Sequence, residues 1–200
     1  MKGDQKSFID RLFALSQIQD GYFTSEQATK CGYINKNFSY YVKAGRWISV
    51  VRGIYRLKNF PESENEQYTL WSLWVGLKNE QPVGVYSHLT ALSYYGLSEV
   101  VPSRLYITVP LQYKTTRKIP KILILNKSDL SKSSINYMGS YAMTTVKKTL
   151  IDLADSHMMD LDHFAKAIIM AYNKGHIDAN FIYNTPEFHK VLRIISKTIN

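Results

Sequence analysis

The 200-residue sequence predicts an α+β protein built from two parts of different character. Residues 21–57 indicate two short helices, a tight turn and a two-strand ribbon, because helix caps, glycines and β-branched runs follow one another in that order. A change of composition at residues 60–64 then introduces alternating strand and helix patterns. We therefore predict a winged helix-turn-helix over residues 1–60. Residues 61–200 are predicted to form a mixed α/β domain with a small sheet and a helical C-terminal tail.

Composition narrows the class of protein. The hydrophobic share of 45% and the charged share of 20% are typical of a globular chain. Cys31 is the single cysteine, which excludes an internal disulfide framework and a cysteine-based zinc site and favours a reducing compartment. No apolar run approaches the roughly 18 residues of a membrane span, and the first residues lack an apolar leader. We expect a cytoplasmic protein that does not enter the membrane.

The net charge of +9 is distributed unevenly along the chain. Residues 1–60 carry ten Lys and Arg against four Asp and Glu, a net charge of +6, whereas residues 61–110 have a net charge of −3. Residues 111–140 have a net charge of +5 and residues 141–200 of +1. A basic N-terminal part followed by an acidic segment favours a polyanionic partner for the first part.

Two helices are predicted in the first part of residues 1–60. The first runs from Ser7 to Ile18 and has an apolar stripe formed by Phe8, Ile9, Leu12, Phe13, Leu15 and Ile18. Thr24 is the expected N-cap of the second, because Gln27 three residues later completes a capping box. Gly32 is expected to end that helix.

A third helix is predicted from Asn35, as N-cap, to Ala44, with Gly45 after it. Its outer face is expected to carry Lys36, Asn37, Ser39, Tyr40 and Lys43. Cations, an amide, a hydroxyl and a phenol suit phosphate oxygens and base edges, and no carboxylate interrupts them. A solvated helix face is the alternative. The wing that follows immediately favours a DNA-binding face.

The wing is predicted as two strands, 47–51 and 54–57, joined by a tight turn. Three arginines bracket this ribbon: Arg46, Arg52 and Arg56. Arg52 at the tip is expected to reach the DNA backbone or minor groove, and Arg46 the backbone, because a guanidinium pairs well with phosphate. Trp47 and Tyr55 are interpreted as packing between wing and core.

After residue 65, stretches with the 3.6-residue periodicity of a helix alternate with stretches that have the two-residue periodicity of a strand. Helices are predicted over 66–78, 87–96, 145–155, 161–172, 177–183 and 186–198. Strands are predicted over 83–86, 104–109 and 121–125, with a hairpin folded over Gly139 and Ser140.

Five stretches follow one another in the order found in a known family: GYFTSEQATKCGYI, GRWISVVRGIYRL, YSHLTALSYYGL, RLYITVP and TTVKKTLIDLAD. On these stretches the chain resembles the AbiEi antitoxins of type IV toxin–antitoxin systems over roughly residues 20–155. The resemblance implies that the winged head binds repeats in the promoter of its own operon and represses it. It also implies that the second domain opposes a nucleotidyltransferase-like toxin from the neighbouring gene, in a system that acts in abortive infection by phage.

One departure from that family concerns the first wing strand. Ser49 and Val51 stand where the family pattern often has arginine. The resemblance therefore implies that the wing binds DNA less strongly here than in the family, and that Lys36, Lys43 and Arg52 contribute a larger share of the binding.

The residues for catalysis or metal binding do not form a recognisable pattern. No two of the five histidines are four residues apart, the spacing that places two zinc ligands on one face of a helix. The histidines are His88, His157, His163, His176 and His189. His88 is interpreted as a structural hydrogen-bonding residue. The acidic residues Asp152, Asp155, Asp160 and Asp162 suit helix starts and surfaces better than a Mg²⁺ site. With no phosphate-binding glycine loop and no nucleophile elbow, we expect no catalytic residues, metal or cofactor.

Two interpretations remain open for the basic residues 111–140, and other functions remain open for the chain as a whole. Lys114, Arg117, Lys118, Lys121, Lys127 and Lys132 either extend a DNA footprint or meet an acidic toxin, or they form an ordinary solvated loop and strand edge. The chain could also be a protein-interaction module, or a winged-helix regulator without a cognate toxin. An enzyme is a third hypothesis without positive support.

Overall fold

The computed structural model describes residues 7–99, 101–156 and 158–199, with side chains described as far as Ser196. The protein is α+β and divides into two compact units. The first runs to Val83 and includes Gly139–Tyr141, and the second consists of Gly84–Met138 and the chain from Ala142. The sequence-predicted boundary at residue 60 therefore lies inside the first compact unit.

The first unit begins with a winged helix-turn-helix. Its helices are α1 (Phe8–Gln17), α2 (Ser25–Cys31) and α3 (Phe38–Lys43), and its strands are β1 (Tyr22–Thr24), β2 (Trp47–Val51) and β3 (Ile54–Leu57). The strands form an antiparallel sheet in the order β1-β3-β2. Helix α4 (Glu66–Val75) and the small hairpin of β4 (Leu77–Lys78) and β5 (Gln81–Pro82) follow within the same unit.

Local sequence signals set the ends of α2 as predicted. The amide of Gln27 donates to the hydroxyl of Thr24 at 3.1 Å, and the amide of Thr24 donates to the Gln27 side-chain oxygen at 2.9 Å. Gly32 ends the helix with a φ of 108°, in the left-handed region that glycine adopts without a steric penalty. The predicted capping box is confirmed.

The predicted apolar stripe of α1 is only partly buried. Leu12 is 1% exposed, whereas Ile9 and Phe13 are 54% and 50% exposed and Ile18, after the helix, is 68% exposed. The buried line of this helix instead passes through Leu12 and Ser16, four residues apart on one face. Periodicity alone therefore overestimated the width of the face that α1 buries.

The start of the third helix also differs from the prediction. Asn35–Asn37 form a 3₁₀ turn without a side-chain cap, and α3 begins at Phe38. Phe38 is 3% exposed and its ring lies 5.2 Å from that of Trp47. Burial of this ring, rather than a cap at Asn35, anchors the start of α3.

The second unit combines a mixed sheet with a helical C-terminal region. Its strands are β6 (Val85–Tyr86), β7 (Leu105–Val109), β8 (Leu123–Lys127), β9 (Ile135–Tyr137) and β10 (Ala142–Thr144). They are ordered β8-β7-β6-β10-β9, with β7 parallel to β8, β6 parallel to β10, and the other neighbours antiparallel. The predicted hairpin after β9 is confirmed.

Helices cover one continuous apolar core of this unit. They are α5 (His88–Tyr94), α6 (Val146–Ser156), α7 (Leu161–Asn173), α8 (Ala179–Asn184) and α9 (Leu192–Ile199). The core includes Leu92, Leu150, Ile168, Phe188 and Ile195, each 0% exposed. Burial of such side chains stabilises each by roughly 1.5–3 kcal/mol relative to exposure, so the helical tail is an integral part of this unit.

Candidate nucleic-acid interface

An aromatic cluster supports α3 from the core of the winged helix-turn-helix. Trp47 is 3% exposed, and its ring lies 4.8 Å from the rings of both Phe23 and Tyr41. Tyr33 joins the cluster at 5.0 Å from the same indole, and burial raises the pKa of its phenol. Trp47 is therefore a core residue, as predicted, and it connects β2 to α3.

The sequence-predicted recognition residues lie on one short, solvent-facing stretch. Lys36 and Asn37 belong to the 3₁₀ turn and Ser39, Tyr40 and Lys43 to α3, and all five are exposed. Tyr40 is 60% exposed, with its ring edge-on to that of Tyr41 at 5.6 Å. The opposite side of the helix is occupied by the buried Phe38. The turn and helix thus present polar and cationic groups outward.

The wing tip is fixed to the second helix. Gly53 in the turn has a φ of 80°, and its carbonyl oxygen accepts hydrogen bonds from the amide of Ser25 at 2.9 Å and from its hydroxyl at 3.3 Å. Arg52, next to this glycine, is exposed, and so is Arg46 at the other end of β2. Both cations are available to solvent from a wing whose tip has a defined position.

Arg56 has a different role from the other two wing arginines. Only 8% of the residue is exposed, and its Nη2 donates to the Pro61 carbonyl at 2.9 Å and to a Glu66 carboxylate oxygen at 3.2 Å. The guanidinium also lies 5.5 Å from the ring centre of Tyr22. Arg56 therefore holds β3 to α4 and does not face a ligand.

Lys58 is a cation of the same surface that sequence reasoning missed. It is exposed, and its amide donates to the Arg46 carbonyl at 3.1 Å. The Lys58 ammonium lies 3.5 Å from the position that a Cβ on Gly45 would take. The pairing of Trp47 with Leu57 places residues 46 and 58 opposite each other. The register of the two wing strands would therefore have placed Lys58 beside Arg46.

The electrostatic character of this face is uniform. Residues 27–61 contain seven Lys and Arg and no Asp or Glu. The ion pairs found in the described part of the chain, such as that of Lys30 with Glu26, do not involve the exposed cations of this face. The exposed cations of this face are Lys36, Lys43, Arg46, Arg52 and Lys58. Cations without carboxylate partners attract a polyanion most strongly at low salt.

Two of the four acidic residues considered for Mg²⁺, Asp152 and Asp160, have structural partners. Asp152 pairs with Lys148 at 2.5 Å. Asp160 caps α7 and lies 2.6 Å from the His163 ring nitrogen, and the hydrogen bonds from His163 lower the pKa of Asp160. Over residues 7–99, 101–156 and 158–199, no three His, Cys, Asp or Glu side chains gather as metal ligands. His157 lies outside the described residues.

Comparisons with known proteins bear on the fold alone. No family model matches the chain, and no curated protein matches it. Its fold is similar to that of the RV2827C protein from Mycobacterium tuberculosis, with a TM-score of 0.53 over 94% of this chain and 72% of that chain. The two sequences are 10% identical. Among the described helices, none combines the length and the apolar character needed to cross a bilayer.

Proposed function

We propose that the first unit binds double-stranded DNA through the outer face of α3 and the wing. The observation that carries this proposal is the continuous exposure of cationic and hydrogen-bonding side chains on a helix that a buried aromatic cluster holds in place. The groups are Lys36, Asn37, Ser39, Tyr40, Lys43, Arg46 and Arg52, with Lys58 added from the structure. In a winged helix-turn-helix, the third helix enters the major groove and the wing contacts the backbone or minor groove.

The chemistry of each side chain indicates whether it would contact bases or phosphates. Asn37 and Ser39 have the donors and acceptors needed to read base edges, with Tyr40 beside them. Lys36, Lys43 and Arg46 contribute charge, which positions the protein on the phosphates without reading sequence. Arg52 lies at the wing tip, where a planar guanidinium suits a phosphate or the narrow groove.

We further propose that the chain is a cytoplasmic repressor of its own operon and the antitoxin of a type IV, AbiE-like toxin–antitoxin system in phage defence. Support for this wider role is the sequence resemblance to AbiEi antitoxins over residues 20–155. The partner would be a nucleotidyltransferase-like toxin, opposed in function, with or without direct contact. A gene for such a protein beside this one is the observation that supports the pairing most directly.

DNA binding is tested by mobility shift across a salt series, with the protein's own promoter fragment and a random fragment of equal length. We expect tighter binding to the promoter. The double variant Lys36→Ala with Lys43→Ala should bind more weakly and reduce the log–log salt slope by about two, because each phosphate contact contributes about 0.9. Lys78→Ala, which removes an exposed lysine on β4, is the matched control and should leave the slope unchanged.

An unchanged slope in the double variant would overturn the assignment of this face. Equal binding to promoter and random DNA would favour the alternative of a protein-interaction module. One observation favours that alternative: Ile9, Phe13 and Ile18 are exposed together in the α1 region. The antitoxin role is tested separately, by asking whether co-expression of this chain restores growth to cells that express the neighbouring toxin.

A further inference from the structure

Strand β8 forms one edge of the sheet in the second unit. It stands first in the order β8-β7-β6-β10-β9 and, among the described strands, pairs with β7 alone. The opposite edge is β9, which has three residues, whereas β8 has five. An edge strand presents main-chain donors and acceptors to which an extended segment of another chain can add as a further strand. The longer edge of this sheet is therefore a candidate interaction surface.

The register with β7 shows which main-chain groups of β8 point away from the sheet. The Leu105 amide donates to the Ile122 carbonyl at 2.7 Å, and the Ser128 amide donates to the Val109 carbonyl at 3.0 Å. Successive residues of a strand direct their amide and carbonyl groups to opposite sides. The even-numbered residues of β8 therefore bond to β7, and the main-chain groups of its odd-numbered residues point outward.

The outward groups in the second half of β8 are unpaired. Among the described residues, no hydrogen bond reaches the outward amide or carbonyl of Leu125 or Lys127. The beginning of the strand differs, because Arg104 Nε donates to the Lys121 carbonyl at 3.0 Å and Arg104 Nη2 lies 3.5 Å from the Leu123 carbonyl oxygen. The part of the edge that is open to a further strand thus runs from Leu125 to Lys127.

The charges along this edge are positive. Arg104, Lys121 and Lys127 are exposed, and the two hydrogen bonds of Arg104 hold its guanidinium at the beginning of β8. Residues 111–140 contain a single acidic residue, Asp129, which accepts from the Leu111 amide at 3.2 Å. A second copy that paired through its own β8 would bring further lysines to the edge, and like charges that face each other destabilise a strand pair. The charges therefore favour an acidic strand over a second copy.

Exposed aliphatic side chains distinguish this surface from one suited to nucleic acid alone. Ile119 and Ile122, just before β8, are 44% and 37% exposed, and Leu111, near the end of the strand, is 56% exposed. Lysines by themselves bind phosphates and also protect edge strands from self-association. Unpaired main-chain groups accompanied by aliphatic side chains are instead what a peptide strand contacts, since pairing gives affinity and side chains at alternate positions give specificity.

We propose that β8 binds an extended acidic segment of a partner protein by strand addition. The main chain of that segment pairs with the outward groups of Leu125 and Lys127. Its carboxylates lie near the cations of the edge, and its apolar side chains contact the exposed aliphatic residues. This surface belongs to the second unit and is independent of DNA binding by the first unit, so either proposal can fail without the other.

The test follows the backbone amides of the full-length protein by NMR during titration with a capped heptapeptide of alternating glutamate and valine. The amide signals of Leu125 and Lys127 should shift downfield saturably, and their exchange with solvent should slow, because they gain hydrogen-bond acceptors. The amides of Ile124 and Asn126 are already bonded to β7 and should change little. This contrast between alternate residues is the signature of strand addition.

Two further peptides separate charge from strand pairing. A heptapeptide of alternating lysine and valine should not bind, because the edge repels it. The glutamate–valine peptide with proline as its central residue keeps most of the charge but lacks one main-chain donor and disfavours pairing, so we expect it to lose most of the affinity. Equal affinity of the proline peptide would overturn strand addition.

A double variant tests the cations. Lys121→Gln with Lys127→Gln should weaken binding of the glutamate–valine peptide roughly fivefold, the combined effect of losing two exposed charge pairs. The matched control Lys132→Gln removes an exposed lysine just before β9, at the opposite edge, and should bind as the unchanged protein does. Equal affinity of the double variant would contradict the role of charge.

The titration of the unchanged protein decides the proposal without requiring any variant to fold. Peptide-induced changes that are equal at even- and odd-numbered residues of β8, or absent from Leu125 and Lys127, would overturn it. A random DNA duplex that shifts the β8 amides when the peptide does not would also overturn it and would assign the basic residues 111–140 to nucleic acid.

Discussion

The indole of Trp47 and the phenol ring of Tyr41 stack with their centroids 4.8 Å apart and their planes inclined by 24°. Trp47 begins β2 and Tyr41 lies in α3, so this contact joins the wing directly to α3. Aromatic pairs in this distance range contribute about 0.5–1.5 kcal/mol beyond the area that they bury. The direction of α3 and the position of the wing are therefore coupled through one side chain.

Trp47→Leu should destabilise the first unit and weaken DNA binding together. Replacing a fully buried indole by a smaller side chain leaves a cavity and removes its ring contacts, at a cost of about 2–4 kcal/mol. Urea unfolding followed by far-UV circular dichroism measures the stability, and mobility shift measures DNA binding. Tyr40→Leu, in the neighbouring exposed ring, should weaken DNA binding alone. Equal stability of Trp47→Leu and the unchanged protein would contradict the role of the indole.

Glu66→Gln should destabilise the contact between β3 and α4. The substitution leaves the buried Arg56 guanidinium without its carboxylate, and Arg56 Nε already lacks a hydrogen-bond partner among the described residues. Because 31% of the Glu66 side chain is exposed, solvent screening reduces the loss to about 1–2 kcal/mol. Glu26→Gln breaks the exposed pair with Lys30 and should unfold at the same urea concentration as the unchanged protein.

Thr24→Ala should weaken the first turn of α2. The hydroxyl of Thr24 accepts from the Gln27 amide, and its loss leaves a donor of the helix start without a partner, at a cost of about 1 kcal/mol. Hydrogen exchange at the Gln27 amide should accelerate accordingly. Thr29→Ala removes an exposed hydroxyl that bonds to the Ser25 carbonyl within the same helix and should change this exchange rate little. Equal acceleration in both variants would argue against the cap.

Stability should depend on the titration of His88 in a defined direction. Burial lowers the pKa of its imidazole below the usual 6.5, so the unfolded chain binds a proton at a higher pH than the folded protein does. The contribution of neutral His88 to stability is complete above about pH 6.5 and is lost as the pH falls toward the folded pKa. The unfolding free energies of the unchanged protein and His88→Gln should therefore converge on acidification from pH 7.5 to 5.5. A difference that stays constant with pH would contradict this.

The parts of the fold that short-range rules govern were predictable from sequence. The capping box of Thr24 with Gln27, the turn at Gly53 and the strands of the wing each depend on residues a few positions apart. The exposed recognition face followed from the same local periodicity, since Phe38 points inward and Lys43 outward. All seven predicted site residues are exposed.

Features that depend on distant partners were not predictable in the same way. Arg56 has the same chemistry as Arg52, and only Glu66 and the Pro61 carbonyl make it a buried residue. Strand β1 has three residues, too few to show alternation, and exists because β3 pairs with it. His88 was interpreted as a structural hydrogen-bonding residue, and its approach to Tyr106 and Asn126, which are distant in sequence, became visible only in the folded chain.

The two hydrogen bonds from Ser25 to the Gly53 carbonyl bear on how the wing of the first unit could be re-engineered. A wing of another length or turn type would withdraw that carbonyl and leave the first amide of α2 unpaired. Wing grafts should therefore be designed together with the residue at position 25, as a matched pair of segments. The tip of the wing and the start of the second helix form one interchangeable module.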